Sequence, residues 1–267
     1  MKGQFGVELE SCGLDVKTLN DIIAVNGRKL KDNSHTHNGS TFFDGITWQA
    51  MADGSIRNMD GSHTKARWNT VGTHEIVSPV IKGNKGMKAV QEVCKAMVQA
   101  GAKVNRHCGL HITFDCQNSR WRRMGANKKR TSLKTIVDVY NHFQSVIDSM
   151  LAPSRRGNGY ATVMTFENME RRGFPKYATI NLGKFARHGV VEFRQHQGTL
   201  NGKKIREWAN FTYRIISFAV NEEFNGIDFN DYPQTFEGMI DCLQMNDAQK
   251  AYWSARIRQL NRNTITN

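Results

Sequence analysis

The sequence predicts an α+β fold built on a mostly antiparallel sheet. Two observations carry this reading. Several short stretches alternate apolar and polar residues with a period of two, and apolar stripes of helical spacing fall between and after them. With 39% hydrophobic residues, 23 glycines and only 4 prolines in 267 positions, the chain holds enough apolar material for an ample core. It reads as one domain, 1–267, with a helical C-terminal part from about residue 203.

The first strand is "GQFGVELES". Phe5, Val7 and Leu9 alternate with Gly6, Glu8 and Glu10, so two carboxylates leave the same face of a half-buried strand. That is costly unless a cation or solvent resolves it. "NGRKLKDNSHTHNGS" reads as an exposed polar loop. "TFFDGITWQAMADGSI" reads as a strand ending in an Asp53-Gly54 turn, and "VGTHEIVSPVI" as a strand closed by Ser78-Pro79. Met87, Val90, Cys94, Met97 and Val98 mark a helix that stops at Gly101.

"CGLHITFDC" is the next strand, with Leu110, Ile112 and Phe114 opposite His111 and Thr113. A helix is predicted over 132–151 from Leu133, Ile136, Val137, Tyr140, Phe143, Ile147 and Met150. "KYATINLG" and "GVVEFRQHQGT" read as strands. Helices follow from Lys203 to about Asn221 and on either side of Asn246.

A formal net charge of +13 favours anionic partners such as nucleic acid, nucleotide or phosphorylated compounds. Five cysteines without a C-x-x-C pair suit reduced thiols in a cytoplasmic protein rather than a disulfide framework. No run of about 18 apolar residues is present, so no membrane partner is expected. The start, Met1-Lys2-Gly3-Gln4, passes into the first strand without an apolar signal region.

The polar strand faces carry the chemistry. They present Glu8 and Glu10, then Glu75, then His111, then Glu192 with Arg194 and His196. Were these faces to converge, carboxylates and one imidazole would suit Mg²⁺ or Mn²⁺. An Arg two residues from a ligand Glu would suit a phosphate oxygen, which a guanidinium meets bidentately. The plainer alternative is a solvent-facing sheet with a hydrogen-bonded histidine, and Glu192 paired with Arg194 across it.

The order of "FGVELE", "W-x-x-x-x-DGSI" (Trp48 to Ile56), "HEIVSPVIKG", "CGLHITF" and "VVEFRQHQGTLN" resembles the amidoligase family. Its members are carboxylate–amine ligases related to glutamine synthetase and glutamate–cysteine ligase, often encoded by bacteriophages and bacteria. The resemblance implies a curved, half-funnel antiparallel sheet with helices outside. It also implies ATP with Mg²⁺ (or Mn²⁺) as cofactors and an amide or isopeptide bond formed through an acyl phosphate. Carried over residue by residue, it makes Glu8, Glu10, Glu75, His111 and Glu192 metal ligands, with Glu10 and Glu75 at one ion and Glu8, His111 and Glu192 at the other. Arg194 would neutralise the γ-phosphate. Asp53 and Ser55, in the "DGS" turn, would have a nucleotide or substrate role. Many relatives carry a second His where this chain has Thr113. The implied partners are a carboxylate and an amine.

"QNSRWRRMGANKKR" gathers Arg120, Arg122, Arg123, Lys128, Lys129 and Arg130 around Trp121. As a loop it would offer a cationic, partly aromatic surface for an acidic macromolecule, a phosphorylated substrate or single-stranded nucleic acid. Two rival readings stay open on the residues alone. One is a metal-dependent nuclease using "HTHNG" (His35 to Gly39), His107 and His111. The other is a non-catalytic nucleic-acid-binding protein, which leaves the glutamates without a purpose.

Overall fold

The computed structural model describes residues 3–25, 28–33, 46–116, 119–224 and 226–265. The "HTHNG" segment lies outside them. The chain divides into two compact units, Met1–Phe114 with Gln197–Arg206 and Asp115–His196 with Glu207–Asn267.

In chain order the first unit contains β1 (Gln4–Leu14), α1 (Val16–Ala24), β2 (Leu30–Asn33), β3 (Trp48–Met51), β4 (Gly72–Val77), β5 (Ile81–Lys82), α2 (Gly83–Gln99) and β6 (Gly109–Asp115). The strands run in the order β2-β3-β4-β1-β6, and β5 also pairs with β1. All these pairings are antiparallel except β2 with β3. Phe5, Val7, Leu9, Leu110, Ile112, Phe114 and Ile76 are buried, as the alternation predicts. Val90, Cys94 and Met97 of α2 and Leu19 and Ile23 of α1 are buried as well. The sheet's other face is left to the polar residues.

Pro79 cannot donate to a ladder, and the structure bridges the resulting gap between β4 and β5 with Ser78. The Ser78 N–H donates to Val7 O at 2.8 Å, and its hydroxyl accepts from Val7 N–H at 2.9 Å. Two elements depart from the sequence reading. Leu30–Asn33, read as loop, is an edge strand parallel to β3. Val16–Ala24, which the sequence reading passed over, is a helix capped by Asp15, whose carboxylate accepts from Thr18 N–H at 2.7 Å.

The second unit contains α3 (Ser119–Arg122), α4 (Ala126–His142), α5 (Gln144–Met150), α6 (Phe166–Arg171), β7 (Ile180–Asn181), α7 (Phe185–His188) and β8 (Val190–Gln197), followed by α8 (Gly202–Val220) from Glu207 onward, α9 (Phe236–Cys242) and α10 (Asp247–Ile265). The helix read as 132–151 begins six residues earlier and is interrupted at Phe143. Its apolar stripe continues through the break because Phe143 itself is buried. From β8, Phe193 meets Tyr140 at 5.9 Å between ring centroids. Gln195 accepts from Tyr140 Oη–H at 2.8 Å and donates to Asp148 at 2.7 Å. Trp208, Phe211 and Trp253 form a second aromatic cluster.

From Ser119 onward the basic stretch is mostly helical rather than a loop. Lys128 and Lys129 lie in the first turn of α4, and Arg130 clamps Glu170 of α6 with two hydrogen bonds of 2.9 and 2.7 Å. Trp121 is buried, its ring 5.5 Å from that of Phe185, so it offers no stacking face to a nucleobase. Trp121→Ala is therefore expected to destabilise the fold by about 3–5 kcal/mol, read by urea unfolding. A loss of nucleic-acid affinity at unchanged stability would contradict this assignment.

Candidate active site

Strand register assembles the site in the first unit. Glu8 lies directly opposite His111 of β6, and Glu10 directly opposite Glu75 of β4. The imidazole sits between two carboxylates, with Nδ1 3.1 Å from Glu8 Oε2 and Nε2 3.5 Å from Glu10 Oε1. Glu10 also accepts from Gly109 N–H at 2.6 Å, which fixes its second oxygen. Glu10 and His111 are buried.

Glu75 carries the strain of this crowding. Desolvation first, then the charges of Glu8, Glu10 and Asp53 and a hydrogen bond with Glu8, push its carboxyl well above the usual carboxylate range. Like charges directly across a ladder oppose each other. A carboxyl raised in the fold contributes stability at low pH that is lost as pH rises through its folded value. Glu75→Gln is accordingly expected to raise the melting temperature of the metal-free protein at pH 8 by a few degrees. Thermal melts in chelator check this, and an unchanged or lower melting temperature would count against crowding as the cause.

Asp53 and Ser55 form a closed turn, the carboxylate accepting from both Ser55 N–H and Ser55 Oγ–H at 2.6 Å. The structure thus keeps the "DGS" turn and brings Asp53 within electrostatic reach of Glu75. On the same face Thr113 stands opposite Gly6, and its buried hydroxyl has no partner among the described residues. His107 is exposed in the turn before β6. His74, one position from Glu75, points to the other face, where Nε2 lies 2.7 Å from Ser11 Oγ.

In the second unit Glu192 is fully buried. Arg194 Nη1–H donates to Oε1 at 2.6 Å and Asn181 Nδ2–H donates to Oε2 at 2.6 Å. Lys184 Nζ stands 3.9 Å from Oε2. Asn181 faces Glu192 in register across the β7–β8 ladder. Its own oxygen accepts from Gly183 N–H at 2.9 Å, which settles the orientation of its amide. A side chain at position 183 would press on Phe174 O, 2.8 Å from an added Cβ, so the tight turn requires glycine. His196, grouped with Glu192 and Arg194 by alternation, packs against Trp208 at 5.1 Å.

The structure thus groups Glu8, Glu10, Glu75 and His111 in one unit, and Glu192 with Arg194 in the other. Asn181 and Lys184 were missed by the sequence reading. The available signal was "TINLG" as a strand partner, which places an amide on the face that bears Glu192. Arg122, the last residue of α3, and Arg123 after it are exposed, and the side chain of Arg120 lies outside the described residues. No helix among the described residues is long and apolar enough to cross a membrane.

No curated protein matches the chain. A family model described as "Putative amidoligase enzyme" matches residues 2–180, about two thirds of the 267 positions. The match contains the strands that bear Glu8, Glu10, Glu75 and His111, and it ends before "VVEFRQHQGTLN". By that match, the chain belongs to the amidoligase family.

Proposed function

We propose that the protein is an ATP- and Mg²⁺-dependent carboxylate–amine ligase that forms an amide or isopeptide bond through an acyl phosphate. The observation that supports this best is the crowding of Glu75 with Glu8 and Glu10, which flank His111, on one face of the sheet, in a family of amide-forming ligases. Three carboxylates and an imidazole are a donor set for hard divalent ions such as Mg²⁺ or Mn²⁺. Glu192 is proposed as a further metal ligand, with both its oxygens pre-set by Arg194 and Asn181.

Bound divalent ions would neutralise the phosphoryl oxygens of ATP and withdraw charge from the transferring group. The chain's own residues do the rest. Arg194, held rigid on β8, places a planar guanidinium where the γ-phosphate develops charge. His111, kept between Glu8 and Glu10, has its ring orientation fixed. Asp53 and Ser55 are proposed to meet nucleotide or substrate. The substrate carboxylate attacks the γ-phosphorus and ADP leaves. The amine then attacks the acyl carbon, phosphate leaves, and the amine nitrogen loses a proton.

The test is ADP release from MgATP across a panel of carboxylates and amines. ADP that appears only with one acid–amine pair, together with a new amide detected by mass spectrometry, supports the reading. Metal-dependent cleavage of nucleic acid without ATP turnover would replace it with the nuclease reading.

A further inference from the structure

We infer that Tyr160 and Tyr177 seat the body of the carboxylate substrate, and that this substrate carries a flat, apolar group close to its reacting carboxylate. The inference rests on the ligase reading above.

Two tyrosines in the second unit stay half exposed, Tyr160 at 50% and Tyr177 at 47%. Their rings stand edge to face, 5.7 Å apart and 86° between planes. The pair is held by backbone rather than by a mobile loop end. Thr162 N–H donates to Tyr177 O at 2.8 Å, Thr179 N–H to Thr162 O at 3.0 Å, and Arg194 N–H to Thr179 O at 2.9 Å. Tyr160 N–H donates to Asn158 Oδ1 at 2.7 Å. A ladder of hydrogen bonds therefore ties the aromatic pair to the strand that carries Glu192 and Arg194.

Charge selects the ligand. Arg194 Cζ lies 5.9 Å from the Tyr177 ring centroid, and the exposed Lys176 Nζ lies 5.6 Å from it, both within cation–π range. Arg194 is paired with Glu192, and the exposed Lys176 beside the aromatic pair attracts a carboxylate and repels an ammonium group, so the amine is the poorer occupant. The nucleotide base is poorer still. If Arg194 meets the γ-phosphate, a ribose and two more phosphates separate that point from the base, whereas Tyr177 is its immediate neighbour. What remains is the molecule whose carboxylate must reach the γ-phosphate. Aromatic packing against the two rings would give the discrimination.

The experiment uses the full chain with Mg²⁺ and a non-hydrolysable ATP analogue. Calorimetry would measure binding of phenylacetate against acetate, and of L-phenylalanine against L-alanine. The aromatic member of each pair is expected to bind roughly tenfold more tightly. Tyr177→Ala and Tyr160→Ala should each reduce that preference, and Tyr177→Phe should keep it, all with unchanged affinity for the analogue. Melting curves confirm that the variants are folded.

Equal affinities within the pairs, no binding of any aromatic probe to nucleotide-loaded protein, or a preference that survives both alanine variants would overturn the seat alone. A Tyr177→Ala variant that lost the nucleotide instead would overturn it in favour of a base site. If the wild type binds no nucleotide, the ligase reading fails and takes this assignment with it.

Discussion

Glu192→Gln is expected to abolish ADP formation and to lower stability by about 3–5 kcal/mol, the usual cost of breaking a buried ion pair from one side. The carboxylate accepts from Arg194 on one oxygen and from Asn181 on the other. A glutamine can present its oxygen to Arg194, but its NH₂ then confronts the NH₂ of Asn181. Asn181 cannot turn over to accept, because its oxygen is already taken by Gly183 N–H. A lone Glu192→Gln variant thus mixes lost chemistry with lost stability.

The double variant Glu192→Gln with Asn181→Asp separates the two. Asp at 181 accepts from the new amide, still accepts from Gly183, and keeps one negative charge near Arg194. Most of the lost stability should return in urea unfolding at pH 7, while turnover stays absent. Turnover restored along with stability would show that charge near Arg194 is what matters, and Glu192 would lose its place as a metal ligand.

The metal-free protein is expected to lose about 3 kcal/mol between pH 6.5 and 4 through His74 alone. Burial holds this imidazole neutral and pushes it down from 6.5 to about 4. Each pH unit of that gap is worth about 1.4 kcal/mol. A group lowered in the fold contributes fully above its unfolded value, and the contribution fades as pH falls through the folded one. His74 packs beside Ser11 on the core side of the sheet, and Glu75 acts on pH from the opposite face with the opposite sign. Comparing urea unfolding of the wild type with His74→Asn at pH 7 and pH 4.5 isolates the effect. An equal acid loss in both proteins would remove His74 from the account.

The strands that hold the site were legible because their alternation is strict. "FGVEL" and "GLHITF" each put three apolar residues on one face, and β1 and β6 pair in that register. The helices α2 and α8 were legible from their stripes. Leu30–Asn33 was not, since a short edge strand with one leucine, two charged residues and an asparagine carries almost no period. The helix over Val16–Ala24 was readable from Asp15 followed by Leu19 and Ile23, but its polar surroundings drew attention away.

Trp121 misled for a different reason. Arginines on both sides of an aromatic look like an open binding surface, yet a four-residue helix can bury the ring and leave the charges out. Asn181 shows a further limit. Its role depends on which residue it faces across a hairpin, and one strand read alone does not reveal that.

Because Glu8 faces His111 and Glu10 faces Glu75 directly across the ladders, a one-residue slip of β1 would swing both carboxylates away and bring Val7 and Leu9 onto the polar face. Misaligned chains could then assemble much of the sheet without gathering Glu8, Glu10, Glu75 and His111. A divalent cation that took the proposed site during refolding would hold the aligned population and draw the slipped one toward it. The proposed ligands would then guard the register of the newly made polypeptide as well as serve a reaction.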